Sequence, residues 1–334
     1  MKNTISLSIR KRLPCVGILT LVLLLTLPLR VFAADPPGIP DGWSQNYTYV
    51  NGIRVHYYQA LPAPDKPVIV MVHGVTDNGL CWTTLSLELQ KDYNIYMLDT
   101  RGHGLSDPFT SSDDGQTLVK DVVGFVEAMN LKNPILMGHS MGAATVMRIG
   151  AKYPDLAKAI VMLDPFVSRP TGSGGRPTNP PARDTHESSK EKETEPKKIS
   201  VNMFGDPETL VKQNNYSFDE LVELGKKQSP KWDLMDIQYW ALSKKQYHGA
   251  YTAEQQQAMS GTMRTEGALA KIAVPSLILK ADASPEAKEA NETAVVGLDK
   301  IKLLHLEGTG HNLHHDDLEA TVREIKRFFS ETVF

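Results

Sequence analysis

Six short, largely apolar runs, the first of them rich in β-branched residues, punctuate this chain: Pro67–Val72, Asn94–Leu98, Pro134–Met137, Ala159–Leu163, Val274–Leu279 and Lys302–Leu306. None keeps a strict polar and apolar alternation, so each predicts a strand buried on both faces, as in a parallel sheet covered by helices. Helical patterns lie between them at Leu118–Met129, Met141–Lys152 and Leu318–Phe329. Strand and helix in turn predict an α/β fold with a mainly parallel central sheet flanked by helices, its chemistry gathered at the carboxyl ends of the strands. Ahead of these elements, Asn46–Ala60 alternates around Asn51-Gly52 and predicts a hairpin.

The rhythm breaks between Pro165 and Lys271. Residues 168–198 are Gly, Pro, Ser, Thr and charge with almost nothing to bury, and predict a flexible polar segment. Helical patterns follow at Pro207–Lys227, Trp232–Leu242 and Ala253–Leu269. The expected organisation is therefore a core in two parts, 34–164 and 272–334, with 165–271 inserted as a helical cap. Within the cap, Trp232, Tyr239 and Trp240 share a helical face that either lines an apolar pocket or packs on the core.

Residues 1–33 are set apart from this scheme. Lys2, Arg10, Lys11 and Arg12 precede an apolar run from Cys15 to Pro28, and Val31-Phe32-Ala33 offers small residues for cleavage after Ala33. This is the pattern of a secretory signal peptide, and the run is short for a membrane span. The expected mature protein is secreted or periplasmic, without stable membrane anchoring. The net charge of −3 becomes −8 once the five cations Lys2, Arg10, Lys11, Arg12 and Arg30 leave with no acid. That balance excludes the basic footprint of a nucleic-acid partner. Only Cys81 of the two cysteines remains, so no internal disulfide forms.

The chemistry concentrates at three strand ends. Pro134–Met137 runs into Gly138-His139-Ser140-Met141-Gly142 and then a helix. Gly-x-Ser-x-Gly between strand and helix forces a sharp turn that lifts the serine hydroxyl above the sheet at a helix amino end. Ser140 is the candidate nucleophile. The Met141 amide beside it, and the Val75 amide from His73-Gly74-Val75-Thr76, are the candidate oxyanion donors. A histidine that titrates near neutrality is suited as the base, and His311 follows the last strand within Glu307-Gly308-Thr309-Gly310-His311. His314 and His315 are its neighbours and are expected at the surface or facing the lid. No Cys, His and carboxylate set has metal-ligand spacing, and no Gly-rich phosphate loop is present.

The order of serine, late acid and last histidine, with His-Gly after a central strand, resembles the α/β-hydrolase fold family. Asp99-Thr-Arg-Gly-His-Gly-Leu-Ser106 is similar to a further segment of that family that shapes a loop beside the site. The resemblance runs from about Tyr47 to Phe329, apart from the polar segment. It implies an eight-strand-type sheet, a cap between the sixth and seventh strands, a Ser-His-Asp triad and no cofactor. The acid departs from the family pattern: after the seventh strand the usual catalytic position is Ser284. Asp282 in the same loop is the preferred acid, and Asp164 after the sixth strand is the alternative. The leading expectation is hydrolysis of a small carboxylic ester or lactone through an acyl-enzyme. The alternatives are cleavage of a carbon–carbon bond next to a ketone, as in β-diketones, and a non-catalytic ligand-binding relative. A serine at the elbow excludes the aspartate nucleophile of the family's haloalkane dehalogenases and epoxide hydrolases.

Overall fold

The computed structural model describes residues 36–167, 211, 215–250 and 252–333. The signal-like segment and the polar segment 168–198 lie outside the described residues. Strands β1 (Ser44–Val50) and β2 (Ile53–Gln59) form the predicted hairpin, with Asn51 (φ +45°) and Gly52 (φ +81°) in the two left-handed positions that a tight two-residue turn requires. They are followed by β3 (Val68–Val72), β4 (Asn94–Leu98), β5 (Ile135–His139), β6 (Ala159–Leu163), β7 (Ser276–Lys280) and β8 (Ile301–His305). The eight strands stand in the order β1-β2-β4-β3-β5-β6-β7-β8. Pairing is parallel from β4 across to β8, and β2 joins β4 antiparallel.

Side-chain alternation divides the core into two layers. On one face Ile69, Met71, Met97, Met137, Val161 and Leu279 pack under α1 (Thr83–Leu89) and α9 (Leu318–Phe328). On the other, Val70, Val72, Leu136, Ile160 and Ile278 pack under α2 (Thr117–Ala128) and α3 (Met141–Lys152). Every residue of β4, β5 and β6 is buried, which explains why their sequences do not alternate. Strand β8 closes the sheet as an edge of half-buried residues.

Between β6 and β7 come α4 (Phe218–Gln228), α5 (Leu234–Gln246) and α6 (Ala253–Thr262). Capping boxes start two of them, Ser217 with Glu220 and Thr252 with Gln255. Leu221, Trp232, Ile237 and Ala241 form the small core of the α4–α5 pair. Helix α6 ends earlier than its pattern suggests, and Leu269–Lys271 is a separate 3₁₀ turn. Two further helices, α7 (Pro285–Ala294) and the one-turn α8 (Leu313–Asp316), flank β8. Among the described residues no helix is long and apolar enough to cross a membrane.

Candidate active site

The non-glycine residues with positive φ among those described are Asn51, Asn130, Asn133 and Asp164, of types that tolerate that region, and Thr76 and Ser140, which enter it at a cost of roughly 1–3 kcal/mol each. Thr76, Ser140 and Asp164 lie beyond the carboxyl ends of β3, β5 and β6, adjacent strands in the sheet. The unusual backbone is thus concentrated at the carboxyl ends of central strands, where the polar motifs gather.

At the elbow, Ser140 takes φ +52° and ψ −113°, and its amide donates to the Leu163 carbonyl at 3.0 Å. Its side chain makes no capping bond to α3, so the hydroxyl is not absorbed by the helix start. The flanking glycines are required sterically. A Cβ on Gly142 would stand 1.9 Å from the Val72 carbonyl oxygen of β3, and one on Gly138 would stand 2.2 Å from the Gly142 carbonyl oxygen. Both obstacles are backbone, so neither can yield by a rotamer change. Gly142→Ala is expected to lower the free energy of unfolding by about 3 kcal/mol or more. Urea titration measures it, and unchanged stability would show slack between the elbow and β3.

After β3, the Asp77 amide closes a turn onto the Gly74 carbonyl at 3.2 Å. His73 secures its base: Nδ1 donates to the Gly74 carbonyl at 2.7 Å, and Nε2 accepts from the Thr100 amide at 3.0 Å. A Cβ on Gly74 would lie 3.2 Å from that of Ser140, so the turn presses against the elbow. Behind it, the Asp99 carboxylate accepts from the Gly79 and Leu105 amides and from His56 Nδ1. That carboxylate fills the space a Cβ on Gly104 would need, 2.2 Å away, which accounts for the glycine in the Asp99–Ser106 segment.

His311 stands at the cavity mouth with its side chain 54% exposed, and Nδ1 donates to Asp164 Oδ2 at 2.6 Å. Its carbonyl accepts from His139 Nε2 at 2.9 Å. Asp164 is held in turn by Lys280 Nζ (2.5 Å) and the Ala281 amide (3.2 Å). Burial alone would raise the Asp164 carboxyl, but the hydrogen bond from His311 and the Lys280 charge outweigh it and hold the group well below the usual carboxylate range. His139 is pushed down to about 4 by burial and by its neighbour His311, so it is neutral at pH 7.

Ser140, His311, Val75 and Gly74 line one cavity of about 170 Å³, together with Asp77, His139, Trp240 and Lys244. Met141 is fully buried at the amino end of α3, beside Ser140. The structure therefore brings Ser140, His311, Val75 and Met141 together, but it does not bring Asp282. That carboxylate binds Lys288 Nζ at 2.7 Å and the amides of Ala283 and Gly308, each at 2.9 Å. Asp282 steadies the loop that carries His311, and Asp164 contacts the imidazole. The correction has a local cause: Ser284 and Pro285 are the N-cap and first residue of α7, which commits the β7 loop to starting a helix.

One further expectation changes in part. His314 and His315 are buried, not at the surface: α8 turns inward, stacking His314 on Trp82 of the core, while His315 faces the cap, the other expected placement, against Trp232 and 3.1 Å from Asp236. Of the aromatic trio, Trp240 lines the cavity, whereas Trp232 donates to Asp316 (2.7 Å) and Tyr239 to the Gly38 carbonyl (2.8 Å). Cys81 is buried, and burial pushes its thiol up, away from a nucleophilic role. Sequence reasoning passed over Asp77, His139, Lys244 and Lys280, all charged or polar groups at strand ends or in the cap. Among the described residues no group of three or more His, Cys, Asp or Glu is placed to hold a metal ion.

Comparison with known proteins places this geometry. A region of Mesorhizobium japonicum 2-(acetamidomethylene)succinate hydrolase is 33% identical over 98 residues, 29% of this chain and 35% of that one. Pseudomonas putida N-formylmaleamate deformylase is 33% identical over 121 residues, 36% and 44% of the two chains. These matches span less than half of the curated relatives' length. The crystal structure of E-2-(acetamidomethylene)succinate hydrolase superposes with a TM-score of 0.63 at 18% identity, covering 86% of this chain and 99% of that one, a likeness of fold. The model of the alpha/beta hydrolase family matches residues 69–324, more than half of the sequence. The chain belongs to the alpha/beta hydrolase family.

Proposed function

We propose that this chain is an exported serine hydrolase that cleaves a small carboxylic ester or lactone through an acyl-enzyme on Ser140. His311 takes the serine proton and returns it to the leaving group, Asp164 holds the imidazole, and the Val75 and Met141 amides receive the oxyanion. The observation that carries the reading is the 2.6 Å pairing of His311 with Asp164 at the mouth of the cavity that Ser140 lines. The cavity of about 170 Å³ is below the usual range for drug-sized ligands and suits short acyl groups. The names of the two relatives add small N-acyl diacids to the substrates worth assaying. Export rests on the charged, apolar and small-residue pattern of residues 1–33.

A panel of p-nitrophenyl acetate and butyrate, a simple lactone, an N-formyl diacid and a β-diketone tests it. Saturable turnover of the short esters or the lactone supports the proposal. Silence on these with ketone cleavage favours carbon–carbon hydrolysis, and silence on the whole panel favours a ligand-binding relative.

Lys280 supplies a sharper check. Its ammonium partly neutralises Asp164, so it weakens the carboxylate's support for a protonated His311. His311 must be neutral to act as base. Removing the cation by Lys280→Met stabilises the protonated ring and should move the acid limb of kcat/KM to higher pH, by roughly half a unit or more. A limb that stays in place, or moves to lower pH, contradicts the assignment of Asp164 and His311.

A further inference from the structure

Helix α5 carries two adjacent lysines, and the fold treats them differently. Lys245 makes an exposed bond to the Tyr216 carbonyl at 2.6 Å. Lys244 is buried, its side chain 4% exposed, against the cavity. Its Nζ donates to the Thr76 carbonyl (2.9 Å), to Thr76 Oγ1 (2.7 Å) and to Asp77 Oδ1 (2.9 Å). All three protons are used on the two residues that follow Val75, so none is left to grip a substrate anion. Trp240 lies over the ammonium, its ring centroid 5.1 Å from Nζ. Two residues on, Gln246 Oε1 accepts from Asn78 Nδ2 at 2.8 Å and ties the same loop to the same helix.

A buried ion pair is weak evidence for stability, because desolvation opposes it. Its placement says more. Thr76 adopts φ +68° next to the candidate oxyanion donor, and Lys244 bonds both the carbonyl and the hydroxyl of that strained residue. On the other side, Asp77 Oδ2 lies 3.9 Å from His139 Nδ1, and His139 holds the His311 carbonyl. Helix α5 and the oxyanion turn are thus joined by direct hydrogen bonds, and the elbow and the His311 loop by another. A hydrogen-bond donor aimed at a developing charge is useful only if it is in place beforehand.

We propose that Lys244 is a positioning residue, which holds the Val75–Asp77 turn so that the Val75 amide faces the oxyanion and thereby makes the seating of α5 a condition for a complete oxyanion hole. This rests on the serine-hydrolase reading above.

The test compares wild type with Lys244→Met in the full chain, using p-nitrophenyl acetate and phenylboronic acid, a probe that forms a tetrahedral adduct on an active serine. The expected result is a kcat lowered about 30-fold or more, KM within about threefold, and boronate affinity weakened in parallel with kcat. A kcat within threefold of wild type overturns the proposal. So does a loss confined to KM, or a loss of kcat without loss of boronate affinity. If Lys244→Met does not fold, Asp77→Asn, which leaves Lys244 on Thr76, takes its place: a loss of about tenfold in kcat is expected, and an unchanged kcat overturns the proposal. Ester turnover that survives Ser140→Ala would overturn the underlying reading and this inference with it. Turnover that depends on Ser140 but ignores Lys244 would overturn the inference alone.

Discussion

Ser140→Ala is expected to lower kcat for short esters by about 10⁵-fold or more, with the thermal midpoint unchanged within a few degrees. The asymmetry follows from the local structure. The hydroxyl makes no capping bond to α3, so alanine forfeits no intramolecular hydrogen bond there. The positive φ at this position burdens serine and alanine alike. What the substitution removes is the atom that attacks, while the amino end of α3 and the cavity walls remain. Residual activity above a few per cent of wild type would reject nucleophilic catalysis at this position.

The second large effect separates two aspartates. Asp164→Asn is expected to reduce kcat by about 10³–10⁴-fold with little change in KM, because an amide at 2.6 Å from Nδ1 neither fixes the tautomer nor stabilises the imidazolium. Asp282→Asn, which loosens only the loop before His311, is expected to cost less than about tenfold. Steady-state kinetics on the same ester compares them directly. The reverse order of effects would restore Asp282 to the place the sequence preferred, and equal small effects would leave His311 without its carboxylate.

This disagreement over the acid shows where the sequence stops being legible. The doubly buried strands β4, β5 and β6 were readable because their burial is encoded in unbroken apolar runs, and the elbow because only glycine fits against β3 and α3. The acid depends on which of two neighbouring strand ends reaches the imidazole, a matter of register that no local pattern contains. Leu163 pairs with His139 across β5 and β6, so the next residue on each strand brings Asp164 beside Ser140. One signal was present: Ser284-Pro285 is a helix start, which takes the β7 loop out of contention. Lys244 was hidden for a different reason. Paired lysines at a helix end resemble a solvated face, and only the fold reveals that one of them points inward. The burial of His314 and His315 was not legible because it comes from Trp82 and Trp232, far away in the chain.

The central claim is that a hydroxyl at the elbow becomes covalently bonded during turnover. The most direct measurement is peptide mass spectrometry after exposure of the full chain to a fluorophosphonate, with the ester assay run in parallel. The account predicts one phosphonyl adduct, on the peptide bearing Ser140, gained as ester turnover is lost, and none in Ser140→Ala. An unmodified Ser140 in an enzyme that still hydrolyses esters, or an adduct on another residue that tracks the loss of activity, would contradict it.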